Sequence, residues 1–350
     1  MSNSEPKLSR AQASSSHNQR PPPAPGSLRA ILIKNCTTRL FIHPFEWTVD
    51  HLHALDVELV PSALLGEPVA EDIQSQVDES RRIRGDLRDL KGCHIVRRDP
   101  AIRHLVISMG RVQELQLEWK RLHFMYENQA IAKLHYVLIA RHRSTSEFDS
   151  RLPIWAYTDQ DCTHTIRQKW YDSKKKSLSF ASREIRRKAE LPIDPVYVAI
   201  LIALAQQRRR FIPQRATSHR VTLFAPIHES IVIASARPTS TTTFKSLQAG
   251  RREIVSKIVQ YTADISTAYL QKFEEPYKFY DVGLQIETKM LSLNEAAAFF
   301  QAMKYASNDL NTYSKPSPEG STSKRKALEE LHLNTGDQKL ESKRRKVCNT

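Results

Sequence analysis

Apolar and polar positions follow two rhythms along this chain, one of period two and one near 3.6, and the switches between them mark its candidate elements. Ala30-Ile31-Leu32-Ile33 and Thr38-Arg39-Leu40-Phe41-Ile42 are short runs rich in β-branched and aromatic residues, and they read as two strands joined through Lys34-Asn35-Cys36. Glu71 to Leu90 has a helical, highly charged pattern. Between Arg81 and Arg98 seven basic residues stand against two acidic ones. Val112, Leu115, Trp119, Leu122 and Tyr126 are spaced by 3, 4, 3 and 4, which predicts an amphipathic helix from Gly110 to Tyr126. His135 to Ala140 and Pro153 to Tyr157 read as buried strands separated by the polar stretch Arg141 to Ser150.

The second half is patterned more sharply. Asp194 is placed to cap a helix whose first residue is Pro195, whose missing N–H would have been unpaired there. Val196 to Ala205 is apolar throughout, so this helix belongs at the centre of a domain. Arg208-Arg209-Arg210 sets cations at the negative end of its dipole, and Ile212-Pro213 stops it. Strands are expected at Arg220 to Ala225 and Ser230 to Ala234 around a turn at Pro226 to Glu229, and again at Ile254 to Thr262. A helix from Ile265 to Phe273, a strand from Leu284 to Met290 and a helix capped by Asn294 follow. This α-β-β-β-α-β-α order predicts an α/β or α+β fold, a mixed sheet with flanking helices.

Composition adds the ends. Residues 1–26 hold five of the eighteen prolines and almost no large apolar side chains, so they cannot offset their ordering entropy and read as a disordered tail. Pro21 to Pro25 favours polyproline II, as a stiff spacer or as a ligand for a proline-binding module. The expected organisation is therefore a tail (1–26), an N-terminal α/β region (27–150), a C-terminal α-β-β-β-α-β-α region (151–307) and a second, basic disordered tail (308–350). The longest apolar run has ten residues, where a membrane span needs about 20, and residues 1–20 lack the apolar stretch of a secretory signal. A soluble, non-secreted protein without a membrane role is expected.

Charge changes the picture most. Lys plus Arg number 53 against 38 acidic residues, a net charge of +15 that favours polyanionic partners. In the C-terminal segment, Lys324-Arg325-Lys326 and Lys343-Arg344-Arg345-Lys346 resemble a two-part nuclear import signal, which predicts a nuclear protein with an import carrier as partner. The alternative is a basic tail that only solvates or adheres to nucleic acid. A second cluster gathers Arg167, Lys169, Lys174, Lys175, Lys176, Arg183, Arg186, Arg187 and Lys188 around Trp170, Tyr171 and Phe180. Phosphates need cations and unstacked bases need flat apolar faces, so these nine are candidate nucleic-acid contacts. The competing reading is a solvated loop with Trp170 and Phe180 turned inward.

Candidate catalytic chemistry is sparse, and an enzyme is not the leading expectation. Cys36, Cys93, Cys162 and Cys348 lie too far apart for a CxxC site, so buried or idle thiols are expected and no cofactor is implied. None of the glycine-rich phosphate loops or nucleophile elbows occurs. His51 and His53 could face one way from a strand, but without a third ligand they read as surface residues; His94, His104, His123 and His135 have no identifiable partner.

Asp99-Pro100 followed by Glu118-Trp119-Lys120 resembles the PD-(D/E)XK pattern of restriction-enzyme-like nucleases, where two carboxylates hold Mg²⁺ and a lysine assists the attacking water. On a helix Glu118 and Lys120 would diverge by about 200°. The α-β-β-β-α-β order of the second half resembles the same superfamily's core. Its third strand, Ile254 to Tyr261, carries no carboxylate, and Glu287-Thr288-Lys289 lies on the fourth, where it reads as the wet side of an edge strand. The resemblance implies a nuclease-like fold with catalysis lost. Leu191 to Gln206, with Tyr261-Thr262-Ala263 and Lys272-Phe273, is similar to uncharacterised proteins of filamentous fungi, a resemblance that implies no activity. Three functions follow as expectations: a non-catalytic nuclear binding or regulatory protein, a degenerate nuclease-like domain, or an interaction scaffold without a nucleic-acid role.

Overall fold

A computed structural model describes residues 21–36, 42–62, 81–92, 95–108, 115–142, 152–211, 216–232 and 251–308. In chain order the elements are α1 (Leu28–Lys34), a 3-10 turn (Pro44–Glu46), α2 (Val49–Ala54), β1 (Val57–Pro61), α3 (Arg81–Lys91) and α4 (Ile95–Ser108). There follow β2 (Leu115–Tyr126), β3 (Gln129–His142), β4 (Pro153–Tyr157), α5 (Gln160–Ser173), α6 (Leu178–Ala189) and α7 (Pro195–Phe211). The last five are β5 (Ser218–Val232), β6 (Arg251–Ser266), α8 (Thr267–Glu274), β7 (Leu284–Ser292) and α9 (Ala296–Asn308). This is the mixed α/β architecture expected: a seven-stranded sheet in the order β1-β7-β6-β5-β4-β3-β2. β1 runs parallel to β7 and β4 parallel to β5, while every other pairing is antiparallel. The sheet crosses the boundary between 150 and 151 without a break, because β3 pairs with β4.

Helix α7 forms the centre of one face. Asp194 accepts a hydrogen bond from the Val196 N–H at 3.0 Å, Pro195 occupies the first helical position, and every residue from Pro195 to Gln206 is buried. An all-apolar helix has no wet side, so it must be covered all round. Beneath it lie Val137, Ile139, Val221, Leu223 and Tyr261, and beside it pack Leu28, Leu52, Leu55, Tyr269 and Phe273 from α1, α2 and α8. The opposite face carries Trp155, Phe224 and Phe299 edge to face at 5.7 and 5.9 Å, and α9 is fixed there by Trp155 Nε1 donating to Ser307 Oγ at 3.1 Å. With both faces covered, β4 is buried at every position, the pattern of a central strand.

Four sequence expectations change. The helix expected from Gly110 to Tyr126 is a strand over its described residues: 115–126 form β2, half of a hairpin whose turn residues Glu127 and Asn128 both have positive φ, 49° and 60°, while 110–114 lie outside the described residues. A register shift between Lys120 and Leu122 separates two runs of period two, Leu115/Leu117/Trp119 and Leu122/Phe124/Tyr126, and their sum mimics helical spacing. Residues 30–33 are helical in α1 rather than a strand, since Ser27 accepts from the Ala30 N–H at 3.2 Å and Leu28 is buried; most of the partner strand expected at 38–42 lies outside the described residues. The turn expected at Pro226 to Glu229 is the middle of one long β5. β4 pairs with β5 only at Leu223 and Phe224, so Pro226 sits where β5 has a neighbour on one side alone, and its missing N–H costs no ladder bond there. Finally, residues 21–26 of the expected tail are placed, with the Ala24 N–H donating to Tyr277 O at 2.8 Å.

Two of the four cysteines, Cys36 (exposed) and Cys162 (half-buried), are described and both are free; burial pushes the Cys162 thiol up to about 12. Residues 1–20 and 309–350, with both import blocks, lie outside the described residues.

Candidate nucleic-acid interface

The stretch read as a possible solvated loop is a helical hairpin. Asp159 caps α5, accepting from the Asp161 N–H at 2.9 Å, and Ser177 caps α6, accepting from the Phe180 N–H at 3.3 Å. Between them Lys175 takes a positive φ of 54° and closes a tight turn. The nine candidate cations divide into two sets.

Arg167 and Lys188 point inward, with 0 % and 1 % exposure. Arg167 makes a bidentate pair with Asp194 at 2.9 and 2.6 Å and donates through Nε to Phe45 O at 3.1 Å. Lys188 Nζ donates to the same carbonyl at 2.5 Å. Three helices and the 3-10 turn thus meet on one buried charge cluster. Burial opposes the charged form of Asp194, yet the Arg167 guanidinium outweighs it and holds the carboxyl below its ordinary value. Burial, reinforced by Arg167, lowers Lys188 to about 7. Neither side chain can reach a phosphate.

Lys169, Lys174, Lys175, Lys176, Arg183, Arg186 and Arg187 are exposed. The turn gathers the three lysines at the tip, and α6 carries the arginines along its outer side. Lys174 Nζ lies 4.8 Å from the Trp170 ring centre, Lys176 Nζ 5.5 Å from that of Phe180, and the Arg183 guanidinium 6.0 Å from the same ring. The aromatics serve the fold: Trp170 stacks on His43 at 4.2 Å and donates Nε1–H to Glu46 at 2.8 Å, and Phe180 packs edge to face on Tyr171. Cations above occupied rings suit phosphate contact rather than base stacking. Leu178, 71 % exposed, projects from the same tip.

The nuclease-like pattern is placed as follows. Asp99 lies in α4, its carboxylate paired with Arg103 Nε at 3.0 Å; Glu118 accepts from Gln116 Nε2 at 2.6 Å. Because β2 is a strand, the helical separation of Glu118 from Lys120 does not apply. Glu287 is exposed on β7, which is flanked by β1 on one side and β6 on the other at that residue, so it is not on an edge strand. Among the described residues no group of three or more His, Cys, Asp or Glu could hold a metal ion. No helix among them is long and apolar enough to cross a membrane. His51, expected at the surface, is buried and accepts from the Thr48 N–H at 2.9 Å as part of a helix cap. His104 does have an acidic partner, Asp86 at 3.2 Å.

Sequence reasoning missed the second buried ion cluster. Arg98, 1 % exposed, bridges Asp159 at 3.2 Å and Asp161 at 2.8 Å, binding α4 to the start of α5. Sixty residues separate the partners, and only the Asp-x-Asp at a helix start hinted at it. No protein-family model matches this chain, and no curated protein is significantly similar to it.

Proposed function

We propose that this is a non-catalytic nuclear protein that associates with nucleic acid through the α5–α6 hairpin and enters the nucleus by its C-terminal basic blocks. The observation that carries the reading is the set of seven exposed cations on one short hairpin, sorted by the fold from two that are buried. Such a ridge attracts phosphates irrespective of sequence, and its binding is driven by release of condensed counterions. The import blocks Lys324-Arg325-Lys326 and Lys343 to Lys346 supply the compartment and the import carrier as partner.

The test is a salt titration of duplex binding by fluorescence anisotropy, with both import blocks neutralised so that they do not contribute. Changing Lys174, Lys175 and Lys176 together to Gln lowers the slope of log K against log salt by about 2–3, since each phosphate contact contributes about 0.9. An unchanged slope refutes the hairpin as the contact surface. For import, alanine in both blocks of a fluorescent fusion abolishes nuclear accumulation, and persistence of that accumulation removes the assignment.

A second reading, a PD-(D/E)XK-like domain that has lost catalysis, is supported by one observation. The α-β-β-β-α-β order sought in the second half arises from α4 through β2, β3 and β4 and the helices α5 to α7 to β5. Mg²⁺-dependent plasmid cleavage abolished by Glu118→Gln or Glu287→Gln would favour an active version of that reading over the binding protein.

A further inference from the structure

A cavity of about 430 Å³ opens where the C-terminal end of α7 meets the start of α8, the β2–β3 turn and the first residues of β5. Its volume falls in the range of small-molecule sites. Gln206, Arg209, Arg210, His219, Gln271 and Glu274 are among the residues lining it. Their roles differ. Gln206 is committed to the fold, accepting from the Met125 N–H and donating to Met125 O, both at 2.9 Å. Arg209 pairs with Glu274 at 3.0 Å and donates to Thr267 O at 3.3 Å, which fixes its guanidinium in the wall. Arg210 is exposed and makes no hydrogen bond or ion pair among the described residues.

His219 is the unusual member. It is 2 % exposed, it lines the cavity, and neither ring nitrogen has a hydrogen-bond partner. Leaving a buried polar atom unmet costs about 1–3 kcal/mol. A side chain that serves only packing would not need two such atoms. Phenylalanine or leucine would fill the same space at no such cost. Arg209 and Arg210 against Glu274 leave the lining one positive charge in excess, and Arg208 lies just behind it, buried with its Nε on Pro153 O. The ring is neutral for the same reasons: burial first, then Arg208 and Arg209, lower its pKa to about 4.

We propose that this cavity is a binding site for a small organic phosphate, whose dianion sits between Arg209 and Arg210, close enough to the buried imidazole of His219 for the ring to sense its charge. Phosphate is favoured over a carboxylate because two guanidinium groups present more donors than one carboxylate can accept, and guanidinium geometry matches phosphate oxygens bidentately. The site is separate from the α5–α6 hairpin and does not depend on that reading.

The full chain carries many exposed cations that also attract phosphate, so the readout must be local. Inorganic phosphate is titrated at fixed ionic strength and about pH 7.5, where the dianion predominates, while the imidazole resonances of His219 are followed by NMR, assigned by their loss in His219→Gln; the pH is then lowered stepwise with and without phosphate to read the ring's pKa. The expected result is a saturable shift together with a rise in the His219 pKa, because an anion nearby favours the imidazolium. Arg210→Gln, at an exposed position that leaves folding intact, weakens the saturation at least about tenfold, the loss of one charge-assisted contact. Acetate at the same concentration produces a smaller shift; an equal or larger one reassigns the site to carboxylates and overturns the phosphate proposal. A non-saturating shift, or one unaltered by Arg210→Gln, also overturns it.

Discussion

Replacing Asp194 by Asn tests how the hairpin is held to the central helix. The substitution keeps the cap, because Asn accepts from the Val196 N–H as well as Asp does. It removes only the negative charge. Arg167 would remain fully buried, facing an amide that accepts one of its two hydrogen bonds and presents donors to the other, with Lys188 close by. Breaking a buried pair from one side costs about 3–5 kcal/mol. Against a typical total of about 5–15 kcal/mol that is a large fraction. At about 2–4 °C per kcal/mol for a domain of this size, Tm falls by about 6–20 °C at pH 7. Calorimetry measures it.

Removing both charges, Arg167→Met with Asp194→Asn, recovers a large part of the loss, since an apolar replacement no longer strands a guanidinium. The pH dependence follows from the depressed Asp194 pKa. Its stabilisation is complete above the ordinary value of 3.8 and fades as pH falls through the lower folded value, so wild type and variant converge in acid. A Tm for Asp194→Asn within about 2 °C of wild type at pH 7 would show that the pair does not hold the hairpin.

Two further outcomes are expected. Lys188 has a folded pKa lowered to about 7, so the unfolded chain binds more protons between there and 10.5, and stability rises with pH across that window. Lys188→Met therefore stabilises the protein by a few kcal/mol at pH 6 and by little at pH 10, measured by urea unfolding at each pH; an equal effect at both pH values contradicts the buried ammonium. Gln206→Leu leaves the Met125 N–H and C=O without their side-chain partner, which costs about 1–3 kcal/mol and speeds amide exchange in the β2–β3 hairpin before the rest of the sheet; uniform exchange would show that the clamp is not local.

The sequence alone determined what is decided locally. Asp194, Pro195 and an unbroken apolar run dictate a capped, fully covered helix, because capping and burial need no knowledge of distant residues. Strands β4 and β7, and the alternation of Leu284, Ile286 and their polar neighbours, are legible for the same reason. What spacing could not decide was left to the tertiary structure. Four of the five apolar residues at helical intervals, Leu115, Trp119, Leu122 and Tyr126, lie in β2, because a strand with a register shift produces the same intervals, and only pairing with β3 distinguishes the two. Pro226 is tolerated within a strand because β4 ends beside it, a fact of sheet order. Above all, nine neighbouring cations look alike in one dimension. The structure separates Arg167 and Lys188, drawn inward to Asp194 and the Phe45 carbonyl, from seven that face water, because the partners that justify burying a charge come from other parts of the chain.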